Sequence, residues 1–251
     1  MPNASVAGKK YLYAVVAGSG DRKYNYCGID GTLVHSISTG RVSAVVSDVN
    51  FHKIRPERRN LATHQKVISK LMEETTPLPV SFGVVASNAK AIRDILSLNQ
   101  EALQQQLSRL DGKVEMGLRV IWDVPNIFEY FVDTASELRA FRDRLFGSGR
   151  DLTHDEKLNL GRCFTDVLEE ARDVHTRTVE KKLSPTCLEI RRNKCRTERE
   201  VMNLACLVGR DAHTQFESVV LEAAKLFDNN FAFDYSGPWA PYNFVEMDIR
   251  L

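Results

Sequence analysis

The residues of greatest chemical reach in this chain are one of its six histidines, its five cysteines, a glycine pair and a terminal run of aromatics. His64 could serve as a general base, because imidazole titrates near neutral pH. It falls on the apolar face of a helical pattern with Leu61, Ile68, Leu71 and Met72, where a single histidine reads as a hydrogen-bonded core residue. Cys27, Cys163, Cys187, Cys195 and Cys206 are odd in number and lack Cys-x-x-Cys spacing. They indicate neither a disulfide framework nor a zinc site. Cys163 and Cys206 sit in apolar stretches and read as small hydrophobes. A catalytic thiol would need a positioned histidine beside it. Gly18-Ser-Gly20 lacks the spacing of a phosphate-binding loop, and no His-x-x-x-His or Glu-x-x-His metal spacing occurs. Asp30 and Asp48 read as turn formers or caps.

The segment Phe231–Val245 begins as an alternating strand, with Phe231, Phe233 and Tyr235 on one face. Ser236-Gly237-Pro238 has turn chemistry, since Gly accepts positive φ and Pro fixes its own. Trp239, Tyr242 and Phe244 follow around a second proline. Such a cluster can form a packed terminal clasp or an aromatic cage for a cation. The clasp reading expects a buried Trp239. The basic run Arg191–Arg199 is diluted by Glu189, Glu198 and Glu200 and has no interleaved aromatics. It reads as a solvated hairpin tip rather than a nucleic-acid groove.

The composition, 43% apolar and 27% charged over 251 residues, is that of a soluble globular chain of one large or two ordinary domains. A net charge of +1 gives no electrostatic case for nucleic acid or an anionic lipid membrane. No run approaches the roughly 20 apolar residues of a membrane helix. The first ten residues lack the apolar core of a signal peptide. The expectation is a cytosolic protein that needs no cofactor or metal.

Strands are expected at Lys10–Val16, Thr32–Ser38, Val42–Ser47 and Thr76–Ala86, with helices over Glu57–Glu73 and from a Ser87 cap to Leu110. Asp111-Gly112 closes this first part. Val114, Met116, Leu118, Val120 and Trp122 then alternate along a strand. Asn126-Ile-Phe-Glu129 has capping-box spacing and opens a helix carrying Phe128, Phe131, Ala135, Leu138, Phe141 and Leu145 inward. Gly147–Asp151 interrupts it, and Gly147–Asp155 is expected to be an exposed break. A second helix over Glu156–Leu183 turns Leu160, Phe164, Val167, Leu168, Ala171 and Val174 inward. Cys187–Arg192, Val201–Val208 and Phe231–Tyr235 complete the strands, with Asp211 a candidate cap for a helix through Phe216, Val219, Val220, Ala223 and Phe227.

The fold class is α+β in two domains. Residues 1–112 form an N-terminal α+β domain. Residues 113–251 form a ferredoxin-like β-α-β-β-α-β domain with an elaborated first crossover and the aromatic clasp. Right-handed crossovers predict strand order 4-1-3-2. The edges are then Cys187–Arg192, with Leu188 and Ile190, and the last strand, with Phe231, Phe233 and Tyr235. Exposed edges can recruit other strands.

Several blocks together resemble the gas vesicle protein F/L family, most of all its F-type members. They are Tyr11–Val16, Gly28-Ile-Asp30, Val42–Ser47, His64-Gln65, Leu78-Pro-Val-Ser-Phe-Gly83, Gly117–Trp122 and Phe233–Val245. The Leu-Pro-Val-x-Phe-Gly and Gly-Pro-Trp-x-Pro-Tyr-x-Phe blocks are the specific ones. The resemblance implies an accessory protein of gas vesicles, the hollow protein shells that give aquatic microbes buoyancy. It implies location with that intracellular organelle, and partners among the small apolar shell protein and other vesicle accessory proteins. It brings no catalytic residues, in keeping with a chain that is no enzyme. Two other classes stay open: a small-molecule or regulatory binding module on a ferredoxin-like sheet, and a thiol or histidine enzyme.

Overall fold

The computed structural model describes residues 8–147 and 151–247. The N-terminal stretch Met1–Ala7 and Ser148–Arg150, within the expected break, lie outside the described residues. The chain divides into two compact units, one of Met1–Glu115 with Pro238–Leu251 and one of Met116–Gly237. The C-terminal segment groups with the first unit, whereas the sequence placed it with residues 113–251. Its anchors explain this: Phe244 is fully buried and Asn243 is bonded to Glu115, all within the first unit.

In the first unit β1 (Lys9–Ala17), β2 (Lys23–Cys27), β3 (Leu33–Thr39) and β4 (Val42–Val49) form an antiparallel sheet with two short strands, β5 (Leu78–Pro79) and β6 (Val85–Ala86). The order is β2-β3-β4-β1-β5, and β6 also pairs with β1. Aromatic and β-branched residues favour these strands, and β4 is buried at seven of its eight positions, as an interior strand should be. Thr39 opposes Val42 across a two-residue turn, where Gly40 adopts φ 60°, the left-handed conformation such hairpins demand. Helices α1 (Arg58–Met72), α2 (Ala89–Leu98) and α3 (Gln100–Leu110) pack on this sheet.

Three expectations change here. Thr76–Ala86 is two dipeptide strands, because Pro79 offers no amide to a ladder and Gly83 turns the chain at φ 95°. The helix expected from Ser87 to Leu110 starts at an Asn88 cap and breaks at Asn99. The Asn99 side chain donates to the Ile95 carbonyl at 2.7 Å, a local bond that competes with helical continuation. On α1, Leu61 is exposed and Val67 joins the buried face.

In the second unit β7 (Lys113–Trp122), β8 (Glu189–Arg192), β9 (Glu200–Gly209) and β10 (Phe231–Trp239) form a four-stranded sheet in the order β10-β7-β9-β8. Numbered along the chain this is 4-1-3-2. Nearly every residue of β9 is buried, as befits an interior strand. Helices α4 (Ile127–Thr134), α5 (Ser136–Phe146) and α6 (His154–Leu183) link β7 to β8, and α7 (His213–Ala224) links β9 to β10. Asn126 caps α4, accepting from Phe128 N and Glu129 N. The helix expected to continue through Ala135 breaks there, and Arg139 satisfies the freed carbonyls of Val132 and Asp133. A reciprocal capping box forms at Thr153 and Glu156 instead. Val174 is exposed on α6, and Thr176, Val179 and Leu183 are buried. Asp211 caps nothing: it lies in a 3-10 turn before α7. The chain stays extended through Ser236-Gly237-Pro238, where a corner was expected. Gly237 absorbs φ 129°, and an edge strand tolerates a proline. The corner falls later, at Ala240-Pro241 before a 3-10 turn over Tyr242–Phe244.

Candidate partner-binding edges

Strands β8 and β10 are the two outer strands of the second sheet. The candidate residues therefore occupy opposite edges and are not brought together. On β8, Leu188 N donates to Leu207 O at 2.8 Å, which holds the strand entry while the Leu188 side chain is 63% exposed. Ile190 is half-buried opposite Cys206. Arg191 bonds Glu189 at 2.7 Å, and Arg192 bonds Glu180 at 2.6 Å and Asp173 at 3.1 Å. The basic run is thus partly engaged by its own acidic neighbours.

On β10 the aromatics divide. The Phe231 ring lies 4.9 Å from Phe227, 5.0 Å from His175 and 6.3 Å from Trp122, and Phe233 lies 5.2 Å from Phe227. These two side chains are committed to their own unit. Burial holds the His175 imidazole below its usual pKa, opposed by the nearby Asp228. Tyr235 is 40% exposed, and Asp234–Gly237 are all exposed. Asp234 is steadied by Arg119 at 2.9 Å. The exposed part of β10 within this unit is therefore its second half, with Tyr235 its one large exposed side chain there.

The terminal clasp exists, but its buried anchor is not Trp239. Trp239 is 38% exposed, while Ala240 and Phe244 are fully buried in the first unit. A strand that runs on through Pro238 leaves Trp239 near its end, and the later corner turns Phe244 inward. Asn243 gives its backbone amide and side chain to the buried Glu115 carboxylate at 2.8 and 2.6 Å. Arg109 donates to the Phe244 carbonyl. Tyr242 Oη lies 3.3 Å from His64 Nε2, and Tyr11 Oη lies 2.9 Å from His64 Nδ1.

This explains His64. Tyr11 Oη accepts from the Gly83 amide at 3.1 Å, which leaves its own proton for Nδ1. Nε2 then carries the imidazole hydrogen toward Tyr242 Oη. Burial lowers the His64 pKa to about 4, opposed by Val80, so the ring is neutral at physiological pH. Burial also raises the Tyr242 pKa to about 12, helped by Glu115. His64 is a core histidine that ties β1 to the clasp, with Tyr11, Tyr13, Phe82 and Tyr242 around its ring.

Asp30 adopts φ 56° within a 3-10 turn, as a turn former does, and Asp48 pairs with Lys10. The cysteines are free, with Cys206 fully buried and Cys163 half-buried. Sequence reasoning missed the Cys187 thiol bonded to Cys206, an interaction that draws the Cys187 pKa down against the effect of burial. It depends on a fold contact that no local spacing announces. A cavity of about 340 Å³ in the first unit, lined by Val15, Ala44, Ile92, Leu96, Leu103 and Met247 among others, was also not foreseen. Among the described residues no group of three or more His, Cys, Asp or Glu could hold a metal ion. No described helix is long and apolar enough to cross a membrane.

Known proteins agree on what this architecture is. The chain is 24% identical over 241 residues to gas vesicle protein F of Dolichospermum flosaquae, covering 95% of this chain and 98% of that one. It is 27% identical over 245 residues to gas vesicle protein F2 of Halobacterium salinarum, covering 95% and 93%. The crystal structure of the gas vesicle protein GvpF from Microcystis aeruginosa superposes with a TM-score of 0.81 at 22% identity, covering 95% of this chain and 99% of that one. The profile of the gas vesicle synthesis protein GvpL/GvpF family matches residues 9–246. The chain belongs to that family.

Proposed function

We propose that this protein is an accessory factor in gas-vesicle formation that presents the outer edge of β10 to the small apolar shell protein or to other vesicle accessory proteins. The observation that carries the reading is the exposed run Asp234–Gly237 on an edge strand. Backbone pairing at an edge gives affinity that depends little on partner side chains, which suits an apolar subunit not yet assembled. The order β10-β7-β9-β8 and its helical crossovers support reading the second unit as a ferredoxin-like domain. No catalytic step enters the proposal.

The test is site-specific photocrosslinking in cells that express the vesicle genes, with the reactive group placed at Tyr235 or at Leu188. The reading expects a crosslink to a vesicle protein from Tyr235. Crosslinks from Leu188 alone, or from neither position, would refute the β10 assignment. A small-molecule module has one supporting feature, the apolar cavity. That cavity lies in the first unit, and only Ser81 and Asn99 bring polar side chains to its lining.

A further inference from the structure

The β8 edge has a different character. Asn193 N donates to Asn203 O at 2.7 Å, and the pairing continues with Arg191 opposite Ala205 and Glu189 opposite Leu207. In an antiparallel pair, bonded and non-bonded residues alternate. Ile190 and Arg192 therefore turn their amides and carbonyls away from β9, toward the open edge. Side chains alternate as well. Arg192 reaches Glu180 and Asp173 on α6, so Ile190 shares that face. Glu189 and Arg191 lie together on the opposite face.

The sequence Glu189-Ile190-Arg191 is self-complementary under a two-fold axis. We propose that β8 is a self-association edge, and that its occupant is β8 of a second copy of this chain, antiparallel, with Ile190 opposite Ile190. In that register the two Ile190 residues exchange amide–carbonyl hydrogen bonds. Each Glu189 stands opposite Arg191 of the second copy in a non-bonded pair, the arrangement in which cross-strand side chains approach most closely. The two intramolecular Glu189–Arg191 pairs become a ring of four alternating charges. Leu188, 63% exposed and bonded through its amide to Leu207, flanks the paired segment beside Arg192 of the second copy, where its side chain covers the arginine's aliphatic stem. The same patch serves both copies, as an isologous contact requires.

The competing explanation is that the charges guard the edge against pairing. A guard works with charges of one sign, which repel whatever register forms. Here opposite charges flank one apolar residue, and reversing the strand places each beside its complement. A four-residue strand buries far less than the roughly 1,600 Å² of a standard interface, so the dimer is weak and forms only at high local concentration. The inference does not depend on the role assigned to β10.

Sedimentation equilibrium of the full-length chain, from micromolar to millimolar concentration, tests it. The weight-average mass should rise toward twice the chain mass. Arg191→Glu should raise the dissociation constant tenfold or more by setting four carboxylates together. Glu189→Arg combined with Arg191→Glu should restore it to within a few-fold of wild type. Leu188→Lys, at an exposed position, should weaken the dimer without altering the melting temperature, and it serves if Arg191→Glu fails to fold. A mass that stays monomeric throughout overturns the proposal. So does a dimer indifferent to Leu188→Lys and Arg191→Glu, or a folded charge-swapped chain that does not recover.

Discussion

Acidification should destabilise this protein through His64, in a measurable and separable way. The imidazole is 4% exposed, bonded on both nitrogens and surrounded by Tyr11, Tyr13, Phe82 and Tyr242. Its pKa is about 4 in the folded chain against 6.5 when unperturbed. The depressed value means that the folded state resists protonation while the unfolded state accepts it. Stability is therefore fully present above pH 6.5 and falls as the pH drops through the interval from 6.5 to 4. At about 1.4 kcal/mol per pH unit the whole interval is worth about 3 kcal/mol, and the part already lost at pH 5 is about 2 kcal/mol. That is a large share of the roughly 5–15 kcal/mol that holds an ordinary domain folded.

The assay is urea unfolding, followed by circular dichroism at pH 7.5, 6 and 5, for the wild type and for His64→Gln. Glutamine keeps hydrogen-bonding capacity and loses the titration. His175 also has a depressed pKa and contributes to both curves, so the informative quantity is the difference between them. The gap between wild type and variant should close by about 2 kcal/mol as the pH falls from 7.5 to 5. Two curves that stay parallel within about 0.5 kcal/mol would refute the buried, neutral assignment of His64.

Other substitutions probe the clasp and the first sheet. Gly28→Ala would place a methyl group 2.1 Å from Tyr13 Oη and 3.0 Å from Ser47 Oγ. It should cost about 1–3 kcal/mol by overpacking, read by thermal melting. Phe244→Ala should cost about 3–5 kcal/mol, as removal of a fully buried aromatic does, while the partly exposed Trp239→Ala should cost clearly less in the same assay. Asn243→Ala takes the side-chain hydrogen bond from the buried Glu115 carboxylate and leaves the one from the backbone amide. It should cost about 1–3 kcal/mol in chemical denaturation.

Where local pattern dictated structure, the sequence was readable. Val114, Met116, Leu118, Val120 and Trp122 alternate and are all buried on β7, since a period of two leaves a strand one face to bury. The apolar run of β9 announced an interior strand, and its position between β7 and β8 followed from crossover handedness. The breaks at Asn99 and Ala135 were not readable. Each interrupts a sequence of good helical period, and each is settled by a single side-chain bond, from Asn99 or from Arg139. The clasp was legible as a clasp, but the choice of anchor was not. That choice depends on where the strand ends, and Gly237 and Pro238 suit a turn as well as an edge. The same limit hid the Cys187–Cys206 pair and split the candidate edge residues. Phe231 and Phe233 look like a docking face in sequence, yet Phe227 and His175 occupy them.

The accessory role through the β10 edge is tested most directly by vesicle yield in cells whose only copy of this gene carries Tyr235→Lys. The position is exposed, so the purified variant should melt within about 2 °C of wild type, a difference worth less than about 1 kcal/mol. A lysine at an open edge opposes strand addition. Vesicles should then be lost or sharply reduced while the protein accumulates at its normal level. Wild-type vesicle yield with a folded Tyr235→Lys protein would contradict the account.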